Sequence, residues 1–237
     1  HSKDGVNWHL GRIGAGNYKD VGMSIGGVVL GLDRLTVWRS IDEGLNRREV
    51  EGLNLSGAAT MTTGEGLVVV AGADGRIFVS DDTGASWTLT QQVDPIPPEL
   101  LSNQVGMDME SAHHAGLFLI GAEEEWLYVS EDGRSWHPLL GEPLPYSRII
   151  AFGGGYLATG FDGLLESIDG IQWQAVEGAP PNAVGATLIS SGGVAMVSDS
   201  NGGLWRSGDG SDWEHVLPGD PLSNGLGIPR TVTSLRL

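Results

Sequence analysis

Ser130, Asp132 and Trp136 bring a hydroxyl, a carboxylate and an indole into the eight residues VSEDGRSW. Side chains of these types can form a nucleophile with its base, or a platform for a sugar. The spacing recurs, and that changes its meaning. Ser2, Asp4, Gly5 and Trp8 repeat it, as do Ser80, Asp82, Gly84 and Trp87 with one residue more. Ser167, Asp169, Gly170 and Trp173 form a further copy, and Ser207, Asp209, Gly210 and Trp213 another. A worn copy at Ser40, Asp42 and Gly44 has Arg47 or Arg48 where the Trp should stand. A catalytic centre occurs once in a chain. A unit present in every period is therefore expected to build the fold.

Other residues invite chemistry singly. His113 and His114 suggest a metal, but neighbours on a strand face opposite ways and cannot easily share one ion. A hairpin or loop location is expected for them, and no metal. Asp199 opens DSNGG, which looks like a calcium loop but lacks the bidentate Glu at the required distance. No Gly-rich phosphate loop or nucleophile elbow is present, and no cofactor is expected. The absence of cysteine rules out a disulfide framework and thiol chemistry. The formal net charge is −17, from 30 acids against 13 Lys and Arg. Such a surface repels phosphates and anionic lipid heads, so nucleic acid is a poor partner. No stretch approaches 18 consecutive apolar residues, so no membrane insertion is expected.

The elements that position these residues follow from the period. The repeated Ser falls at 2, 40, 80, 130, 167 and 207, in steps of 38, 40, 50, 37 and 40. The long step holds QQVDPIPPELLSNQ, whose prolines exclude it from a sheet interior. Within each period four short segments recur between Gly, Asp or Asn turn signals. GAATMTTG, LVVVAGA, RIFVSDD and SWTLTQQ show the order; the third copy starts with NQVGMDMES and then GLFLIGA. We denote the segments A to D. No window shows a capped 3.6-residue apolar period, so almost no helix is expected. The Ser–Asp–Gly–Trp unit joins C to D. Its Asp can accept from the backbone of its own turn, and its Gly permits positive φ. The Ser hydroxyl is expected to tie the turn to a neighbouring strand, and the Trp to lie between sheets. Trp38, Trp126 and Trp205 on the C segments read as core.

These units resemble the Asp-box, or BNR repeat, of sialidase-like β-propellers. Residues 80 to 87 match the Ser-x-Asp-x-Gly-x-Ser-Trp pattern in full, and the copies at 2, 130, 167 and 207 match a form one residue shorter. The resemblance implies an all-β fold: a six-bladed β-propeller of four-stranded antiparallel blades, one domain over 1–237. Five blades would run from about 18 to 217. The sixth would be completed from both termini, residues 1–10 with 228–237, removing exposed edges. Its B segment and most of C have no sequence, so either residues precede His1 or this blade is thin.

In such a fold the boxes share one rim, and the B–C turns and D–A loops share the other. The B–C turns add Asp33, Asp74, Glu123, Glu124, Glu125, Asp162 and Asp199, which read as turn formers and a solubilising surface. Arg148 and Arg230 start A strands and point inward, with Lys19 at the matching place and Tyr146 nearby. Together they form a candidate ligand face, a cationic cluster for a carboxylate. A sialidase needs three arginines on a carboxylate, a Tyr–Glu pair and an Asp, and carries an Arg-Ile-Pro signature. GRIG at 11–14 lacks the Pro, and no Tyr–Glu pairing is readable. The expectation is a non-enzymatic binding or structural module in a larger assembly, contacting protein or glycan. Short propellers with such boxes resemble those of phage virions and tails and of bacterial surfaces, implying a virion or extracellular location. The competing reading is a sialidase-like glycoside hydrolase.

Overall fold

The structure is a computed structural model that describes residues 21–33, 36–56, 59–95, 109–122, 126–139, 146–160, 163–183, 187–191, 193–199 and 201–217. They form five four-stranded antiparallel sheets, and no helix occurs among them. The first sheet is β1 (Val21–Ile25), β2 (Val28–Asp33), β3 (Thr36–Ser40) and β4 (Arg48–Glu49). The second is β5 (Ala59–Gly64), β6 (Leu67–Gly72), β7 (Arg76–Ser80) and β8 (Thr88–Gln92). The third is β9 (Met109–His114), β10 (Leu117–Ala122), β11 (Trp126–Ser130) and β12 (His137–Pro138). The fourth is β13 (Tyr146–Phe152), β14 (Gly155–Gly160), β15 (Gly163–Ser167) and β16 (Gln174–Ala175). The fifth is β17 (Leu188–Ser191), β18 (Val194–Ser198), β19 (Leu204–Ser207) and β20 (Glu214–Leu217). Each pairs in sequence order, so every sheet is one expected set of A to D segments. Both parts of the expected sixth blade, and most of the proline-rich insertion, lie outside the described residues.

The first two strands of the first four sheets meet through two-residue turns. Glu65–Gly66 has φ of 50° and 76°, and Ala115–Gly116 has 48° and 85°. Positive φ at both centres twists the hairpin with its strands. Ala115–Gly116 corrects the third period. Its described first strand, Met109–His114, runs past the expected end at Ser111 straight into that turn. His113 and His114 therefore lie on a strand, not in a loop. Pro138 fits because β12 is an outermost strand, where a missing N–H costs no ladder bond.

The described chain divides into two compact units. The first contains sheets one and two and most of sheet three. Its core explains why LVVVAG is apolar throughout. Val68 and Val70 join Leu30, Leu32, Val37, Met61 and Phe78 of the first two sheets. Val69 and Ala71 join Phe118, Ile120, Tyr128 and Trp136 of the third. Successive side chains of β6 face opposite ways, and both faces are buried. Each buried Val contributes about 1.5–3 kcal/mol. The second unit contains sheets four and five, with 112–115. Leu157, Leu164 and Val176 meet Leu188, Ala195 and Val197 in its core.

Trp38 and Trp205 are half-buried, and Trp205 packs against the core of the second unit. Trp38 lies across Gly31, where an added Cβ would fall 2.0 Å from its ring. Trp205 donates its N–H to Asp199 Oδ2 at 3.1 Å and stacks on His215 at 4.3 Å. The side chain of Trp126 is outside the described set.

Candidate functional site

Each sheet's third strand delivers its Ser, buried, to the start of a turn. In the second sheet Ser80 Oγ donates to Asp82 Oδ1 at 2.7 Å and accepts from Gly84 N–H at 2.8 Å. Asp82 Oδ1 also accepts from the N–H groups of Ala85 and Ser86, and Oδ2 from the Ser86 hydroxyl. Trp87 then donates its indole N–H to Gly84 O at 3.2 Å. Gly84 has φ of 79°, and a Cβ there would approach Leu30 of the first sheet to 2.6 Å. Only glycine meets both demands.

The other turns reuse these bonds. Ser130, Ser167 and Ser207 donate to Asp132, Asp169 and Asp209. Trp136, Trp173 and Trp213 donate to the carbonyls of Gly133, Gly170 and Gly210. The worn copy keeps its polar half. Ser40 donates to Asp42, Gly44 N–H donates to Ser40 Oγ, and Asn46 supplies its N–H and its side-chain amide to Asp42. Arg47 takes the Trp position, and its guanidinium lies 5.5 Å from the centre of the Trp38 ring. The Ser hydroxyls thus close their own turns instead of tying them to neighbouring strands.

These bonds stabilise the charged carboxylate. The Ser40 hydroxyl first, then Asn46, hold Asp42 down at about 2. Backbone N–H groups of Ser135 and Arg134 hold Asp132 at about 2, and those of Asp212 and Ser211 do the same for Asp209. Asp82 lies well below the usual range, chiefly through the Ser86 hydroxyl, and Asp169 is lowered by the Gln172 and Ile171 N–H groups. A carboxylate so engaged is a poor proton carrier near neutral pH.

Within the first unit the turns also bind their neighbours. Arg39 Nε donates to Thr83 O at 2.9 Å, and Arg134 pairs with Asp81 at 3.2 Å. Gln91 of β8 grips the Trp136 peptide from both sides, donating to its O at 2.8 Å and accepting from its N–H at 2.7 Å. Gln91→Ala is expected to lower stability by about 1–3 kcal/mol, since it strips partners from two part-buried backbone groups. Urea denaturation of the variant measures this, and no change would remove Gln91 from the account. Sequence reasoning missed this clasp because its partners are 45 residues apart.

The opposite loops give less. Asp74 bonds the Arg76 N–H and guanidinium, and Asp199 accepts from Asn201 and Gly203 N–H. Both acids are engaged in shaping their own turns, and Asp33 ends β2. No group of three metal-binding side chains occurs among the described residues. His114 packs edge-on against Tyr156, whose hydroxyl donates to His114 O and whose pKa is pushed up to about 12 by burial. Of the candidate ligand face, Arg148 is half-buried on β13 opposite Thr159. Tyr146 starts that strand. Lys19 and Arg230 lie outside the described residues, as do Ser2, Asp4, Gly5, Trp8, Glu123, Glu124, Glu125 and Asp162. Two clefts flank the turns among the described residues. One of about 780 Å³ runs beside Arg47–Gly52 and Gly84–Trp87. The other, of about 380 Å³, is lined by Phe152, Tyr156, Ile168 and Trp173.

No family model and no curated protein matches the chain. Solved structures do. YCF48 from Cyanidioschyzon merolae is 16% identical with a TM-score of 0.52, over 84% of this chain and 70% of that one. YCF48 bound to D1 peptide is 13% identical with a TM-score of 0.55, over 82% and 64%. These are β-propeller proteins. The fold is that of β-propellers. The GH74 xyloglucanase from Xanthomonas campestris is similar too, at 18% identity and a TM-score of 0.51, over 81% of this chain but 37% of its own. At these identities the likeness extends to the fold alone.

Proposed function

We propose that the chain is a non-enzymatic propeller module that binds a protein partner within a larger assembly. The observation that carries this reading is the commitment of all five described turn carboxylates to their own turns. The repeated chemistry builds a rigid frame, and frames of this kind present loops and clefts to partners. A propeller of similar fold, YCF48, has been solved with a bound peptide, which supports a peptide-binding use of the scaffold. A phage virion or tail, or a bacterial surface, is the setting we propose from the repeat's resemblance, with glycan as the second ligand class. In this reading six blades close the ring through 1–10 and 228–237, and Lys19, Tyr146, Arg148 and Arg230 face a ligand. Deleting 228–237 is then expected to lower the melting temperature; an unchanged melting curve rejects terminal closure.

The glycoside hydrolase reading has the GH74 likeness on its side. One experiment separates the two. Cross-linked capture from the native source is run beside hydrolysis of a sialoside and xyloglucan panel. A stoichiometric protein complex without turnover supports the module. Turnover that disappears in Arg148→Ala or Arg230→Ala establishes the enzyme.

A further inference from the structure

Three of the described turns close with charged or small residues after the Ser and after the Gly. These are Asp81 with Ala85, Glu131 with Arg134, and Gly208 with Ser211. The fold therefore requires no apolar side chain at either position. The first and fourth turns nevertheless carry Ile41 with Leu45 and Ile168 with Ile171. Ile168 is 86% exposed and Ile171 51%. The two turns border clefts of different charge. At the first turn three arginines stand against three acids, so the charge there names no partner. At the fourth turn the cleft is one-signed. Glu166, Asp169 and Asp209 line it, and no Lys, Arg or His does among the described residues. Asp169 and Asp209 are held by hydroxyl and backbone N–H donors, and Glu166 by the Gln174 amide at 3.0 Å. These donors are neutral, so none of them cancels a negative charge. Half-buried Phe152 and Trp173 add apolar wall. The floor is bare, because Gly153, Gly154 and Gly155 bring no side chain. An added Cβ would fall 3.2 Å from Asp209 O at Gly153 and 2.2 Å from Ser167 O at Gly155. The hairpin is thus packed directly against the fourth and fifth turns, and all of these residues belong to the second unit.

We propose that the cleft beside the fourth turn docks a segment of a partner protein with a basic side chain next to a bulky apolar one. The cation faces Glu166, Asp169 and Asp209, and the apolar side chain packs on Ile168 and Trp173. Charge complementarity names the partner. An acidic cleft in a chain of net charge −17 repels acidic segments and nucleic acid alike. A neutral sugar draws nothing from that charge, and an exposed Ile offers it no flat ring. An exposed apolar patch rimmed by charge is the make-up of a protein–protein contact. The proposal rests on the binding-module reading above and adds the place and the chemistry of the partner.

The test is fluorescence anisotropy of the full chain with a fluorescein-labelled pentapeptide of alternating Lys and Leu. An acidic protein attracts any basic peptide, so the variants separate docking from attraction. Ile168→Asp adds an acid and removes an apolar contact. Docking predicts binding about tenfold weaker, whereas attraction alone predicts binding as tight or tighter. Ile168→Ser repeats the test without a new charge. Glu166→Gln is expected to weaken binding several-fold, while Glu131→Gln, which removes the same charge at the third turn, and Ile41→Asp at the first leave it unweakened. Circular dichroism of the variants checks that they fold. Unweakened binding by either Ile168 variant overturns the proposal, as does equal weakening by Glu131→Gln or Ile41→Asp, or no binding at millimolar protein. Binding of a neutral oligosaccharide that Ile168→Asp abolishes, with none of the peptide, assigns the cleft to a glycan and overturns it too. Capture of a partner complex that persists in Ile168→Asp/Ile171→Asp also overturns the cleft, and leaves the module reading standing. Peptide binding that follows the expected pattern, with turnover in the glycan panel, supports the cleft and removes the non-enzymatic reading instead.

Discussion

Trp136→Ala is expected to cost about 3–5 kcal/mol of folding stability, the loss typical of a buried large aromatic. Trp136 is 2% exposed and belongs to the core shared by the second and third sheets. It meets Phe118 edge-on, with ring centres 6.3 Å apart. Its indole N–H closes the turn on Gly133 O, and its peptide is held by Gln91. Deletion therefore opens a cavity between two sheets and leaves a turn carbonyl without its donor. Trp136→Phe keeps one aromatic ring but loses the five-membered ring with its N–H, so it recovers part of the loss. Half-exposed Trp213 makes the same bond to Gly210 O, and Trp213→Ala is expected to cost less. Urea unfolding followed by circular dichroism reads the order. Equal losses at the two sites would show that the shared bond, not burial, sets the cost.

Acid is expected to unfold the protein over an unusually concentrated window. All five turn carboxylates titrate below their ordinary value of 3.8 because the folded turn bonds the charged form. A depressed folded pKa adds stability that is present above the unfolded pKa and is lost as pH falls through the folded one. For Asp42, Asp132 and Asp209 that interval runs from about 3.8 to about 2, and Asp82 extends it lower. The melting temperature is therefore expected to hold from neutral pH to about 4 and then fall steeply. These carboxylates are exposed, so solvent screens their coupling, and the number of turns rather than the strength of one makes the effect large. Asp82→Asn/Asp132→Asn flattens the acid limb while lowering the plateau. An acid limb of unchanged slope in the double variant would assign the acid sensitivity to other groups.

The sheets were readable because β6 and its counterparts are short apolar runs between turn signals, repeated five times. The third hairpin was misplaced because its first strand, MESAHH, has no apolar run to mark where it ends. It was the strand that ran into that turn, not the histidines, that put His113 and His114 on β9. The Asp of each turn was legible from local chemistry, since its donors lie within four residues. The Ser hydroxyl was assigned outward, yet the nearest partners were its own Asp and Gly. Gln91 and Arg39 act across 45 and 44 residues, a distance at which sequence gives no signal without the sheet register. The cleft beside the first turn was hidden for the same reason, since Arg39, Asp42 and residues 47–52 meet residues 84–87 only when the first sheet folds its outer edge beside the second turn.

The central claim is that the repeated unit is a clasp and not a site. Ser80→Ala and Ser130→Ala, singly and together, test it most directly by urea denaturation with partner or peptide binding measured on the same samples. Each Ser is almost fully buried, donates to its Asp and accepts from N–H groups of its own turn. The account predicts a loss of about 1–3 kcal/mol for each variant, near-additive in the double variant because the Arg134–Asp81 pair that joins the two turns is exposed and weak, with binding by the folded protein unchanged. Unchanged stability with loss of binding or of a measured activity would contradict it.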